Sequence, residues 1–426
     1  MAKYHHRLLA VFLVSAAGLT CALAETLEPM ARPEDVGLSH ARLLQIEATL
    51  TADIDKGRIP GAVLAIARKG QLAYLRAFGY RDRAANAAMS TDALFSIASM
   101  TKPFVSVAAM MLVEEGRLSL DDPVDKHLPA LQHMKVGSVR GEGANATIEV
   151  VPAHRPMTIR DLLRHTSGLT SGARARTEIQ KMYPESSKGG ALQTSSEFLH
   201  QISKAYLMHQ PGTVFEYGVS TDVLGLVVEA VTGKELGAFL EHRLFKPLKM
   251  ADTGFAVEAG KRARYAMPLP TDPESKRPQT VLHATEQPLK FQCGGACAVS
   301  TASDYVRFLQ MLLGGGLSGA TRLLKSETVA LMTMDHLGRD IRAATPTNFL
   351  AEIFGFGLGF AIRQEGHSSW IGTPGDYSWA GSSGSYFWVD PKNQLVVVYM
   401  AHTPNLRTSL QYWKLLRSEV TAAVLD

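Results

Sequence analysis

Ser99 and Lys102 stand in an S-x-x-K pair, within Ser96-Ile97-Ala98-Ser99-Met100-Thr101-Lys102-Pro103-Phe104. Val105 to Glu115 reads as a helix, with Gly116 as its stop. If Ser99 opens that helix, the hydroxyl and the amine share one face, one turn apart. A serine hydroxyl is a poor nucleophile until a neighbouring base takes its proton. The helix N-terminus favours a developing oxyanion. The same four residues also read as a Ser N-cap beside a solvated Lys.

A serine–lysine site needs a second proton carrier and an oxyanion hole. The candidate carrier is Tyr217, in Pro211-Gly212-Thr213-Val214-Phe215-Glu216-Tyr217-Gly218-Val219. A phenol ordinarily titrates near pH 10, and adjacent ammonium groups lower it. A packed aromatic after a Pro-Gly turn is the alternative. The third piece is Trp379-Ala380-Gly381-Ser382, ahead of the strand Tyr386-Phe387-Trp388-Val389. Gly381 would let a substrate approach the backbone closely, and the Ser382 and Ser99 amides would then flank an oxyanion. An ordinary Gly-bearing turn before a strand is the plainer reading.

These pieces need a scaffold. Ser39 to Lys56 has Leu43, Leu44, Ile46, Leu50 and Ile54 at helical spacing, with a Ser39 cap and a Gly57 stop. Ala62–Ala67 and Leu72–Leu75 around Lys69-Gly70 read as a β-hairpin. The middle of the chain is mostly helical, with candidates at 104–115, 158–164, 195–204, 221–232, 235–245 and 302–313. Gly137–Pro156 and Gly260–Pro288 read as long excursions. Strands return at Phe356–Ile362, Ser385–Val389 and Leu395–Met400, and Asn405–Val424 reads as a terminal helix. The expected fold class is α+β. An antiparallel sheet of five or more strands is flanked by the N- and C-terminal helices, beside a mostly helical lobe. The α/β lobe would take about 25–100 and 332–426, and the helical lobe about 103–331.

Residues 1–24 read as a secretory signal peptide: Lys3 and Arg7, then the apolar run Leu8–Leu19, then Ala22-Leu23-Ala24 before Glu25. Cleavage after Ala24 is expected, with a periplasmic or secreted protein as the result. Cys21 would suit a lipoprotein, but Gly18-Leu19-Thr20 fits a lipid-attachment site poorly. No other stretch is long and apolar enough to span a membrane. The formal charge is +4, and Lys3 and Arg7 supply two of those charges, so nothing points to nucleic acid. A hydrophobic content of 46% is that of a globular protein able to bury a large core. Beyond the leader only Cys293 and Cys297 remain, in Cys-Gly-Gly-Ala-Cys. An exported chain suits a disulfide there, two buried thiols are the alternative, and no second Cys or His pair accompanies them for zinc.

Taken in order, S-x-x-K, Tyr217 and W-x-G on a late strand resemble the serine β-lactamase and penicillin-binding-protein superfamily. The similarity is closest to family VIII carboxylesterases, relatives of class C β-lactamases. It extends to Leu118–Val124, Leu162-Leu163-Arg164-His165-Thr166-Ser167-Gly168-Leu169, Ser300–Tyr305 and Phe387–Pro391, covering about residues 35 to 420. The resemblance implies Ser99 as nucleophile, Lys102 and Tyr217 as the proton-handling pair, and the Ser99 and Ser382 amides as the oxyanion hole. Trp379 and Gly381 would line the substrate. His165, within one of these stretches, reads as a structural turn near the site. The implied reaction is acylation of Ser99 and hydrolysis of the acyl-enzyme. The expected partner is a small-molecule ester or β-lactam, and no cofactor or metal is implied.

Two departures favour esters. Class C β-lactamases have Lys-Thr-Gly where this chain has Trp379-Ala380-Gly381, and no Lys or Arg lies between Arg363 and Lys392. The amide of their Y-x-N is Val219 here, which removes a hydrogen-bonding group. The expected activity is cleavage of short-chain carboxylic esters with weak β-lactam hydrolysis. The alternatives are a β-lactamase or D-amino-acid peptidase of the same fold, and a sensor that acylates without turnover. A Ser-His-Asp α/β-hydrolase is disfavoured, because no G-x-S-x-G elbow and no β-α-β run occurs.

Overall fold

The structure, a computed structural model, describes residues 30–141, 146–173, 175–185, 192–280, 289–345, 354–366 and 370–425. The expected leader at 1–24, with Cys21, lies outside them.

An eight-stranded antiparallel sheet organises the molecule. Its spatial order is Phe354–Phe356, Ala361–Arg363, Tyr377–Ala380, Tyr386–Asp390, Leu395–Ala401, Gly61–Arg68, Gln71–Asp82 and Ala87–Ala88. The start and the end of the chain meet at its centre, where Val63 pairs with Met400 and Leu64 with Tyr399. These central strands are apolar without alternation because both faces are covered. Side chains still alternate between the faces. Ala62, Leu64, Ile66, Val397 and Tyr399 pack under the first and last helices, His40–Asp55 and Leu406–Ala423. Val63, Ala65, Val396, Val398 and Met400 face the main core, which contains the helices Lys102–Glu114, Ser220–Thr232 and Ala302–Leu313. Each fully buried Val, Leu or Phe contributes about 1.5–3 kcal/mol of transfer free energy, so two-sided burial makes this strand pair the least dispensable element.

Several expected elements take a different form. Phe356–Ile362 is not one strand. The chain turns at Gly357–Phe360 and gives the paired strands Phe354–Phe356 and Ala361–Arg363. Gly359, at φ +108°, lies where a Cβ would collide with the Ser106 side chain of the helix beneath, so the turn is set by close packing. Gly137–Pro156 falls largely within a hairpin of Lys135–Arg140 with Thr147–Pro152, in register at Val136 and Val151. Its exposed valines gave strand-like content without the alternation of a core strand. The run 235–245 is a short α-helix, Leu236–Leu240, continued by a π-turn at Glu241–Phe245. Gly260–Pro288 begins inside a 3-10 segment, Ala259–Arg264, and its residues 281–288 lie outside the described residues. Tyr377–Ala380 is a strand that the sequence pattern merges with the following turn. Among the described residues, no helix is long and apolar enough to cross a membrane.

Candidate active site

Ser99 lies in a 3-10 turn, Ala98–Thr101, and Lys102 is the first residue of the α-helix behind it. The serine therefore precedes the α-helix, where the sequence expectation had it opening that helix. The turn is fastened on several sides. Ala98 takes φ +43°, a left-handed conformation that a non-glycine residue adopts at a cost. Thr101 donates to the Ala98 carbonyl at 2.7 Å and accepts from the Ala298 amide at 3.0 Å. The Tyr305 hydroxyl donates to the Met100 carbonyl at 2.8 Å, and the Ile97 amide donates to Ala298 at 3.1 Å. This fastening holds the strained backbone and leaves the Ser99 side chain partly accessible while its neighbours are buried.

Two groups converge on the Ser99 Oγ. The Tyr217 hydroxyl lies at 2.7 Å and the Lys102 Nζ at 3.3 Å. Lys102 is 4% exposed, and its Nζ also lies 4.7 Å from the Tyr217 ring centroid, in a cation–π contact. A second hydrogen bond, 2.6 Å to the Gly295 carbonyl, fixes its direction. Tyr217 comes from the loop ahead of the helix Ser220–Thr232. The loop is held by the Glu216 amide on the His165 carbonyl at 2.8 Å and the Val219 amide on Thr170 at 3.1 Å. A hydroxyl within reach of a phenol oxygen and an amine nitrogen can pass its proton through these short contacts to whichever of the two is deprotonated.

The segment that receives the Tyr217 loop is itself anchored by a buried carboxylate. Asp161 accepts from Arg155, Arg164, Thr158 and Thr166, at 2.6 to 3.2 Å. Burial alone would raise its pKa, but these donors outweigh burial and hold the carboxyl below the usual range. His165 follows at φ +56°, in the turn expected of it. Its ring also packs 4.8 Å from that of Tyr217, so the turn contributes a wall to the site. Nearby, burial holds His209 below its ordinary pKa, against the opposing pull of Glu216.

The wall facing Ser99 is aromatic. Trp379 is 8% exposed, with its ring 5.3 Å from Tyr217 and 5.2 Å from Phe356. Phe215 lies 5.0 Å from Phe356 and 5.7 Å from His165. Phe215 and Phe356 were not singled out in the sequence; their only signal was proximity to Tyr217 and to a late strand. Val219 is fully buried in the main core, so this position presents no polar group.

Gly381 closes the strand Tyr377–Ala380 and sits against the Ser99 turn, where a Cβ would collide with the Ile97 carbonyl. The tight turn 381–384 is tied down by Trp413, whose indole N–H donates to Gly384 at 2.8 Å, and by the Thr403 amide on Ser383 at 2.6 Å. Ser382 is the exposed residue of that turn. The structure thus brings Ser99, Lys102, Tyr217, Trp379 and the Gly381-Ser382 turn into one site. Cys293 and Cys297, bonded to each other with Cα atoms 5.2 Å apart, bracket the Gly295 carbonyl that holds Lys102. Gly295 had no sequence signal, because a backbone carbonyl leaves none, and neither did Asp222, whose Oδ1 accepts from the Gly295 amide at 2.8 Å. No group of three or more His, Cys, Asp or Glu placed to hold a metal occurs among the described residues. A hollow of about 1530 Å³ lies elsewhere, lined by residues such as Phe245, Asp252, Thr301 and Asp304 and by none of the Ser99 cluster.

Residues 46–421 match the beta-lactamase family. An uncharacterised protein of Mycobacterium tuberculosis (strain CDC 1551 / Oshkosh) is 35% identical over 381 residues, 84% of this chain and 90% of its own. Esterase EstB of Burkholderia gladioli is 34% identical over 249 residues, 58% of each chain. The solved structure of EstCE1, described as a hydrolase with promiscuous acyltransferase activity, matches with a TM-score of 0.71 at 26% identity. The match covers 89% of this chain and 98% of that one.

Proposed function

The chain belongs to the beta-lactamase family of serine hydrolases, and from that premise we propose that it cleaves short-chain carboxylic esters through an acyl-enzyme on Ser99. In this reading the Ser99 Oγ attacks the ester carbonyl and its proton passes to the Tyr217–Lys102 pair. The carbonyl oxygen becomes an oxyanion between the Ser99 and Ser382 amides. The pair returns the proton to the departing alkoxide, and an alcohol leaves. Water then attacks the acyl-enzyme, gives up its proton to the same pair, and releases the carboxylic acid as Ser99 regains its hydrogen.

The observation that carries the choice of ester is Trp379, packed on Tyr217 where class C β-lactamases have a lysine. A β-lactam carboxylate brought to this wall would lose water without gaining a cation. A neutral ester loses nothing comparable. The names of esterase EstB and of the EstCE1 hydrolase agree with this reading. We further place the protein in the periplasm or outside the cell, where the Cys293–Cys297 bridge would persist.

The test is a series of p-nitrophenyl esters from acetate to palmitate, run beside nitrocefin and a D-Ala-D-Ala peptide. Turnover is expected to be highest on acetate and butyrate, to fall beyond medium chains, and to exceed nitrocefin hydrolysis. Faster hydrolysis of nitrocefin or of the peptide than of every ester would replace this reading with that of a β-lactamase or D-amino-acid peptidase.

A further inference from the structure

We propose that the Cys293–Cys297 disulfide is a positioning element for Lys102: it fixes the loop whose Gly295 carbonyl directs the ammonium at Ser99. The proposal rests on the reading of Lys102 as part of the proton-handling pair.

The loop is fastened at its middle and at its exit. Lys102 donates to the Gly295 carbonyl at 2.6 Å, and the Gly295 amide donates to Asp222 Oδ1 at 2.8 Å. One residue beyond Cys297, Ala298 exchanges backbone and side-chain hydrogen bonds with the Ser99 turn, at Ile97 and Thr101. The same short segment thus sets both the serine turn and the direction of the lysine.

Its composition explains why a covalent tie matters. A Cβ on Gly294 would lie 2.7 Å from the Thr221 carbonyl, and one on Gly295 would collide with the Asp222 carboxylate. Both positions need glycine, because the loop lies directly on the first turn of the helix Ser220–Thr232. Two adjacent glycines have the most backbone freedom of any pair, and so lose the most on being ordered. A bond across the ends of the loop removes most of its alternative conformers. Cys293 is wholly buried and Cys297 3% exposed, and both lie in the main core that also holds the helix starting at Lys102. Without the bridge, the hydrogen bond from Lys102 would compete with many carbonyl positions. Small misplacements of a reacting group cost rate more than they cost binding.

The test compares wild type, Ser99→Ala and the double variant Cys293→Ala/Cys297→Ala, all as full chains, with p-nitrophenyl butyrate. In the double variant kcat is expected to fall about tenfold with KM within about twofold, and with an unchanged far-UV circular dichroism spectrum. Wild type reduced with a phosphine until the thiols of Cys293 and Cys297 titrate should show the same drop and recover on reoxidation. The double variant should not respond to the phosphine. The reduced wild type decides the matter if the double variant does not fold. A bridge that only adds stability would lower Tm and leave kcat in place. Full kcat in the bridge-free enzyme, with Ser99→Ala inactive, overturns the positioning role alone. Activity retained by Ser99→Ala overturns both this role and the reading on which it rests.

Discussion

Replacing Tyr217 by Phe removes one oxygen from the site. The ring remains, with its contacts to Lys102 at 4.7 Å, His165 at 4.8 Å and Trp379 at 5.3 Å. Ser99 Oγ keeps its contact with Lys102 at 3.3 Å, so no partner is left stranded. The stability lost is that of one partly exposed hydrogen bond, about 1 kcal/mol or less. The kinetic loss is of another size. A positioned proton carrier contributes about 10²- to 10⁴-fold, and at 1.36 kcal/mol per decade that is about 3–5 kcal/mol of barrier. Steady-state kinetics on p-nitrophenyl butyrate should show the loss in kcat, with KM little changed, while thermal melts shift by only a few degrees. Lys102→Ala should cost a similar factor. In the proposed mechanism the two groups act on one proton, so the double variant should fall far short of the product of the single losses. A Tyr217→Phe enzyme within tenfold of wild type, or losses that multiply, would refute the shared role.

Trp379→Lys should improve nitrocefin KM by about tenfold to a hundredfold, the worth of a charge-assisted carboxylate contact of about 1.5–3 kcal/mol. The KM for p-nitrophenyl butyrate should not follow; parallel changes would show that position 379 does not select by charge. Asp304 gives a pH test: burial pushes its carboxyl up to about 6, against an unfolded value near 4. The folded state therefore holds this proton more tightly. The contribution of Asp304 to stability is best below about pH 4, falls as pH rises to about 6, and is flat above, a loss of about 1–3 kcal/mol. Asp304→Asn, which keeps an acceptor for the Asp252 amide now bound at 2.8 Å, should remove that slope in urea titrations. A wild-type-minus-variant difference that stays constant from pH 4 to 7 would contradict the assignment.

How much of this was legible depended on how local each feature is. Ser99 and Lys102 lie three residues apart and announce themselves, as does the first helix through Leu43, Ile46, Leu50 and Ile54. The central strands were legible because burial on both faces makes them continuously apolar. Tyr217 is 118 residues from Ser99 and has no local mark of function, so only the ordered set of motifs singled it out. The strand carrying Trp379 is four residues long and runs directly into Gly381, too short for a period-two pattern to separate it from a turn. The edge strands around Gly357–Phe360 merged into one for the converse reason: apolar residues continue through a turn that packing imposes. The Gly295 carbonyl was invisible, since the atom that receives Lys102 belongs to the backbone.

The proposed mechanism requires Ser99 to be the acylated nucleophile. Incubation with a p-nitrophenyl phosphonate, whose serine adduct resists hydrolysis, followed by intact-mass and peptide analysis, tests it most directly. One phosphonyl group per chain is expected, on the peptide containing Ser99, formed in step with the loss of esterase activity and absent from Ser99→Ala. An adduct on another residue, or esterase activity that survives full modification of Ser99, would contradict it.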